Sequence, residues 1–172
     1  MKKITLLIFA LISSSFGDIK VSQVPPKVVL SGDNGGHPNG KAWSSSTLKG
    51  RMFVVLYVDP DEMKTNKKII SILDKYRTSN RFKRVNIVNL KATWLPNMAI
   101  QSKIKDKQKE FPSITYVLDK EKVLVKQWGL KDDSSNILIF DSRGVLIYKH
   151  YGRLNKSEII KVMNLLGVGK GD

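Results

Sequence analysis

The sequence predicts an α/β domain: a central mixed sheet flanked by helices, finished by a C-terminal β-hairpin and helix. Three observations carry that prediction. Phe53–Val58 is an unbroken run of β-branched, aromatic and aliphatic residues, the pattern of a strand buried on both faces. Asp59-Pro60 stops the run, and Ile69, Ile72, Leu73 and Tyr76 then recur at helical spacing. Near the C-terminus, apolar stretches at 136–140 and 145–149 flank Asp141-Ser142-Arg143-Gly144, a hairpin turn in which Gly144 supplies a positive φ.

The remaining elements follow in chain order. Lys2 and Lys3 precede an apolar stretch at 4–12, with Ser15 and Gly17 at the −3 and −1 positions of a cleavage site before Asp18. That is the pattern of a signal peptide over residues 1–17, followed by a folded domain over 18–166 and a flexible glycine-rich tail over 167–172. The apolar stretch is shorter than the roughly 18 residues a membrane span needs. No cysteine follows it, which excludes a lipoprotein anchor. Val24-Pro25-Pro26 starts extended, because proline disfavours helix in the residue before it. The glycine-rich stretch 31–40 reads as surface turns, with Asn34-Gly35 and Asn39-Gly40 as hairpin dipeptides. It lacks the Gly-Lys-Ser/Thr ending of a phosphate-cradling loop. Trp43 and Leu48 should pack beneath the sheet on either side of a serine-capped turn that Gly50 ends.

After a helix over 62–77, a strand over 85–90 completes a βαβ unit, so the two strands should be parallel. Residues 91–96, with Trp94, form a loop. Asn97–Glu110 has helical character with Met98 and Ile104 as anchors; its lysines at 103, 105, 107 and 109 scatter around the helix instead of forming a stripe. Phe111-Pro112 ends it. A third strand over 114–118, a charged turn over 119–122 and a loop over 129–135 come next. Val123–Trp128 fits either a short helix or a short strand. After the hairpin, Asn155 and Glu158 have the spacing of a capping box, ahead of a helix with Ile159, Val162, Met163 and Leu166 on one face.

Composition removes several functions. The chain has no cysteine, so it has no thiol chemistry, no disulfide and no thiolate-bound metal. Its two histidines, His37 and His150, are too few for a histidine-rich metal site, and no Gly-x-Ser-x-Gly segment supports a Ser-His-Asp arrangement. The net charge of +15 comes mainly from scattered lysines. It fits an acidic protein, an anionic envelope component or, less well for an exported chain, a nucleic acid.

The Trp43…Leu48-Lys49-Gly50 lead into a buried strand, and the Phe140–Gly144 hairpin, resemble the peroxiredoxin-like branch of the thioredoxin superfamily. Val24-Pro25-Pro26, the stretch 41–50, Ile87-Val88-Asn89, Val117-Leu118-Asp119, Gln127-Trp128-Gly129-Leu130, the stretch 152–158 and Val162–Leu165 resemble, in order and spacing, the YtfJ family of exported bacterial proteins. The resemblance runs from about residue 24 to 166. It implies a periplasmic thioredoxin-like domain, and it carries no established activity over to any residue. In a thioredoxin the reactive cysteine stands at the start of the first main helix, opposite a proline that precedes the hairpin. Here those places hold Asp59-Pro60-Asp61-Glu62 and Ser134-Ser135-Asn136, so both halves of the redox site are missing.

The candidate binding residues at that position are Asp59, Asp61 and Glu62, whose carboxylates suit a hard cation such as Ca²⁺ or, more simply, the first turn of a helix. Trp94, Trp128 and Tyr151 could stack on bases or sugars, with core packing the plainer reading. No catalytic residue, resident metal or cofactor is expected. The functional expectation is an exported binding or adaptor protein of the cell envelope, without redox chemistry. The alternatives are a carboxylate- or metal-dependent enzyme and an exported nucleic-acid binder.

Overall fold

The computed structural model describes residues 17–93 and 96–169. The expected signal peptide and Trp94 therefore lie outside the described residues, apart from Gly17. The chain forms β1 (Val29–Leu30), β2 (Gly35–Gly36), β3 (Trp43–Ser44), β4 (Phe53–Val58), α1 (Lys67–Lys75), β5 (Lys83–Asn89), α2 (Asn97–Glu110), β6 (Ile114–Asp119), α3 (Val123–Trp128), β7 (Ser135–Phe140), β8 (Leu146–Tyr151) and α4 (Lys156–Leu166). Six strands make one sheet in the order β2-β6-β5-β4-β7-β8, and β1 pairs with β3 apart from it. β4, β5 and β6 run parallel, as the βαβ reading requires, whereas β7, β8 and β2 are antiparallel to their neighbours.

Strand alternation divides the core between the two faces of the sheet. Val55, Tyr57, Val85, Ile87, Val117, Leu138 and Phe140 point to one face, where Trp43, Leu48, Val123, Leu124 and Trp128 cover them. Val54, Leu56, Ile137 and Ile139 point to the other, against Ile69 and Leu73 of α1 and Ile159, Val162 and Leu166 of α4. On that same face Val88, Ile114 and Tyr116 pack against Ile100 and Ile104 of α2.

Several elements depart from the sequence reading. The helix expected over 62–77 breaks into a 3-10 turn, Pro60–Glu62, and a later α1. Asn66 between them is 4% exposed and tied elsewhere: its amide donates to Ser135 Oγ (3.0 Å) and Gly152 O (2.8 Å), and its carbonyl accepts from Leu154 N (2.9 Å). Met98 is 82% exposed and anchors nothing; Ile100 and Ile104, one turn apart, are the buried pair of α2. Asn34-Gly35 is not a hairpin turn. Gly35-Gly36 instead adds a short strand beside Leu118 and Asp119. A Cβ on Gly35 would lie 1.9 Å from Leu118 O, so only glycine lets the two backbones come this close.

Asp119, expected in a charged turn, is the fully buried last residue of β6, and Val123–Trp128 is helical. The hairpin and the capping box form as expected: Asp141 N donates to Val145 O (2.9 Å), and Asn155 and Glu158 exchange bonds at the start of α4. Ordered packing continues past α4, where Val168 is 1% exposed and its N–H donates to Met163 O. Residues 170–172 lie outside the described residues.

Candidate functional site

The C-terminal ends of β4, β5 and β6 carry a polar corner, built by the same alternation that fills the core. Beyond Val55 and Tyr57 the next residue on the α3 side is Asp59; beyond Val85 and Ile87 it is Asn89; beyond Val117 it is Asp119. Asn89 stands beside Asp119 in the β5–β6 ladder. All three are at most 1% exposed.

Asp119 is a structural hub. Its Oδ1 accepts from Glu121 N (3.2 Å) and Val123 N (2.9 Å), and its Oδ2 accepts from Leu124 N (2.9 Å) and the Tyr57 hydroxyl (3.1 Å). It caps the first turn of α3 with its charge compensated on all sides. Burial first, and the Asp119 charge second, push the Tyr57 phenol far above its ordinary pKa, so it acts as a hydrogen-bond donor only.

Asp59 faces the loop that precedes β7. Its N–H donates to Ser134 O (3.2 Å), and its Oδ2 accepts from Ser134 N (2.7 Å). Asn136, fully buried, holds that loop from behind through Lys131 N and O and through Tyr57 O. Asp133, at φ +47°, turns the chain there. The turn brings one oxygen each of Asp59, Asp132 and Asp133 within 4.8 Å of one another. Asn89 Nδ2 donates to Asp132 Oδ1 (3.0 Å), and Lys122 Nζ pairs with Asp132 Oδ2 (2.5 Å).

Burial pushes the Asp59 carboxyl up to about 6; the Ser134 N–H and the nearby Asn89 carboxamide oppose this, and the charges of Asp132 and Asp133 add to it. The Asn89 N–H is directed at Asp132, however, so Asp59 Oδ1 accepts no hydrogen bond, and neither does Asn89 Oδ1.

Of the three residues expected together, the structure places Asp59 in this corner. Asp61 is exposed on the 3-10 turn, and Glu62 accepts from the Thr65 hydroxyl. Sequence reasoning misses Asn89, Asp132 and Asp133. The signals that point to them are polar residues continuing the alternation of two apolar strands, and an Asp-Asp pair in a basic chain. Trp128 is 1% exposed with its indole N–H on Pro26 O (2.8 Å), so it offers no stacking surface. The Tyr151 hydroxyl donates to Asp18 (2.6 Å), and His150 sits between Glu158 and Arg153 O, each at 3.1 Å. Among the described residues no helix is long and apolar enough to cross a membrane.

Comparisons with known proteins agree with this architecture. Residues 24–168 match the family model described as "Bacterial protein of unknown function (YtfJ_HI0045)". An uncharacterized protein of Haemophilus influenzae is 26% identical over 160 residues, covering 90% of this chain and 84% of that one. Among solved structures, a thiol peroxidase from Chromobacterium violaceum superposes with a TM-score of 0.63 at 12% identity, covering 88% of each chain. The pneumococcal exposed lipoprotein thioredoxin from Streptococcus pneumoniae superposes with a TM-score of 0.56 at 15% identity, covering 81% of this chain and 99% of that one. Identities this low speak to the fold alone. With its mixed sheet, its flanking helices and a polar, cysteine-free corner at the ends of the parallel strands, the chain belongs to the YtfJ family and has the thioredoxin-like fold.

Proposed function

We propose that the protein is exported to the periplasm and works there as a binding or adaptor protein of the cell envelope, without redox chemistry. One observation carries this reading. The corner where oxidoreductases of this fold carry thiol chemistry holds Asp59, buried and bonded at two points to Ser134, in a chain with no cysteine. A thioredoxin-like scaffold without thiol chemistry supports recognition as its use. Export is supported by the N-terminal pattern, and Ile19, the second residue of the expected mature chain, is 4% exposed with its N–H donating to Trp128 O (3.1 Å). A strongly positive net charge, +15 for the full chain and still positive after loss of Lys2 and Lys3, favours an acidic envelope protein or an anionic envelope component as partner.

The test is cell fractionation with terminal sequencing, then in-cell cross-linking of the tagged mature chain. The expected result is a periplasmic protein beginning at Asp18, cross-linked to one dominant envelope component and released when surface lysines are reversed in charge. An uncleaved cytoplasmic protein would overturn export. Recovery of uncross-linked monomer alone would overturn the adaptor role.

A further inference from the structure

We propose that Asp59, Asp132 and Asp133 bind a hard divalent cation of calcium's size. The three carboxylate oxygens lie within 4.8 Å of one another. Oxygens at about 2.3–2.6 Å from one Ca²⁺ ion stand at most about 5 Å apart, so a separation within this limit allows all three to share an ion. Every donor atom present is oxygen, which suits Ca²⁺ and disfavours the softer metals that prefer nitrogen or sulfur.

An acidic cluster alone would mean little. Here a second observation points to a missing positive species. Asp59 and Asn89 are 1% and 0% exposed, yet each keeps one buried oxygen without a donor. Buried polar atoms are nearly always partnered, and both of these leftover atoms are acceptors. Their neighbours are already committed: Ser134 N–H to Asp59 Oδ2, Asn89 N–H to Asp132 Oδ1, and Lys122 to Asp132 Oδ2. These bonds orient two of the carboxylates, but Lys122 supplies only one positive charge against three aspartates. Asp133 is exposed and Asp132 half-buried, so the outer side of the ion is open to water ligands. With one buried ligand and two on a loop, the site should be weak, with an affinity of about 10⁻⁴–10⁻³ M, typical of extracellular modules.

The proposal uses neither export nor a partner. Its test uses the purified protein alone, so its failure leaves the binding role untouched. Thermal unfolding and titration calorimetry would be run with CaCl2, MgCl2 and NaCl at matched ionic strength. We expect a calcium-dependent rise in Tm, smaller with magnesium and absent with sodium, and a measurable heat of calcium binding. Asp133→Asn keeps a residue that tolerates positive φ and should weaken calcium binding roughly tenfold or more. Asp61→Asn, outside the cluster, should leave it unchanged. Because the whole chain carries +15, diffuse charge attraction predicts no binding at all. The absence of a calcium-dependent shift and heat would overturn the proposal and assign the two unpartnered oxygens to water. Equal loss in Asp133→Asn and Asp61→Asn would overturn it as well.

Discussion

Tyr57 and Asp119 meet in the core from strands that are not neighbours: the hydroxyl on β4 reaches across β5 to the carboxylate that ends β6, at 3.1 Å. The bond ties the middle of the sheet to the start of α3, because the same carboxylate accepts from Val123 N and Leu124 N. The two substitutions should therefore differ in size. Tyr57→Phe removes one of four bonds to Asp119 and should cost about 1 kcal/mol. Asp119→Ala uncaps α3 and strands the buried phenol, and should cost about 3 kcal/mol or more. In the Asp119→Ala background, Tyr57→Phe should cost little or even stabilise. Strict additivity in chemical denaturation would refute the linkage.

Asn66 does for the helical side what Asp119 does for the α3 side. It holds the approach to α1 against the end of the hairpin through Ser135, Gly152 and Leu154. Asn66→Ala would leave a buried carbonyl and a buried N–H without partners, at about 2–4 kcal/mol. Asn66→Asp would keep the acceptor and lose both donated bonds, so it too should destabilise. A Tm for Asn66→Ala within a degree of wild type would show that these bonds are dispensable.

Gly35 should be among the least replaceable glycines. Its φ is +128°, and the Leu118 carbonyl oxygen lies 1.9 Å from where a Cβ would stand, which leaves no room for alanine. Gly35→Ala should release β2 from the β6 edge and cost about 2 kcal/mol or more. Hydrogen exchange at Leu118 and Lys120, whose N–H groups lie on the β2 side (Lys120 N donates to Asn34 O at 3.1 Å), reads this directly: faster exchange confined to that edge is expected, and unchanged protection would contradict the close approach.

Asp18 gives a pH dependence with a definite sign. Burial raises its pKa, but bonds from Lys149 and Tyr151 outweigh that and hold the carboxyl below its ordinary value of 3.8. A group whose folded pKa is depressed stabilises the fold above its unfolded pKa, and that stability is lost as pH falls through the folded value. Wild type should thus exceed Asp18→Asn at pH 7 by about 0.5–1 kcal/mol, a modest amount because the carboxylate is half in water. The two Tm curves should converge in acid, below the depressed folded-state pKa. A gap that persists in acid would show that the contact is not electrostatic.

Asp59→Asn should raise stability at pH 8 in chelator, by about 1–2 kcal/mol. The substitution removes a buried charge that desolvation disfavours. A lower Tm in chelator would mean that the carboxylate is needed for folding itself.

How much of this is legible in the sequence depends on the range of the interactions. Phe53–Val58, Asn97–Glu110, the hairpin around Gly144 and the Asn155–Glu158 cap can be read locally, because each is set by side-chain period, a breaker or bonds within a few residues. The absence of cysteine alone removes redox chemistry based on thiols. Boundaries fail where a distant partner intervenes, as when Asn66 cuts short the expected helix, or when Gly35-Gly36 finds the edge of β6.

The polar corner belongs to tertiary structure entirely. Asp59 and Ser134 are 75 residues apart in sequence and joined only because β7 pairs with β4 in antiparallel register. That pairing moves the acidic group away from Asp61 and Glu62 and onto Asp132 and Asp133. Local periodicity determines which residues are strand or helix. Which strand ends share a corner is decided by how the buried faces close over one another, a free-energy balance summed over the whole core that no short window of sequence contains.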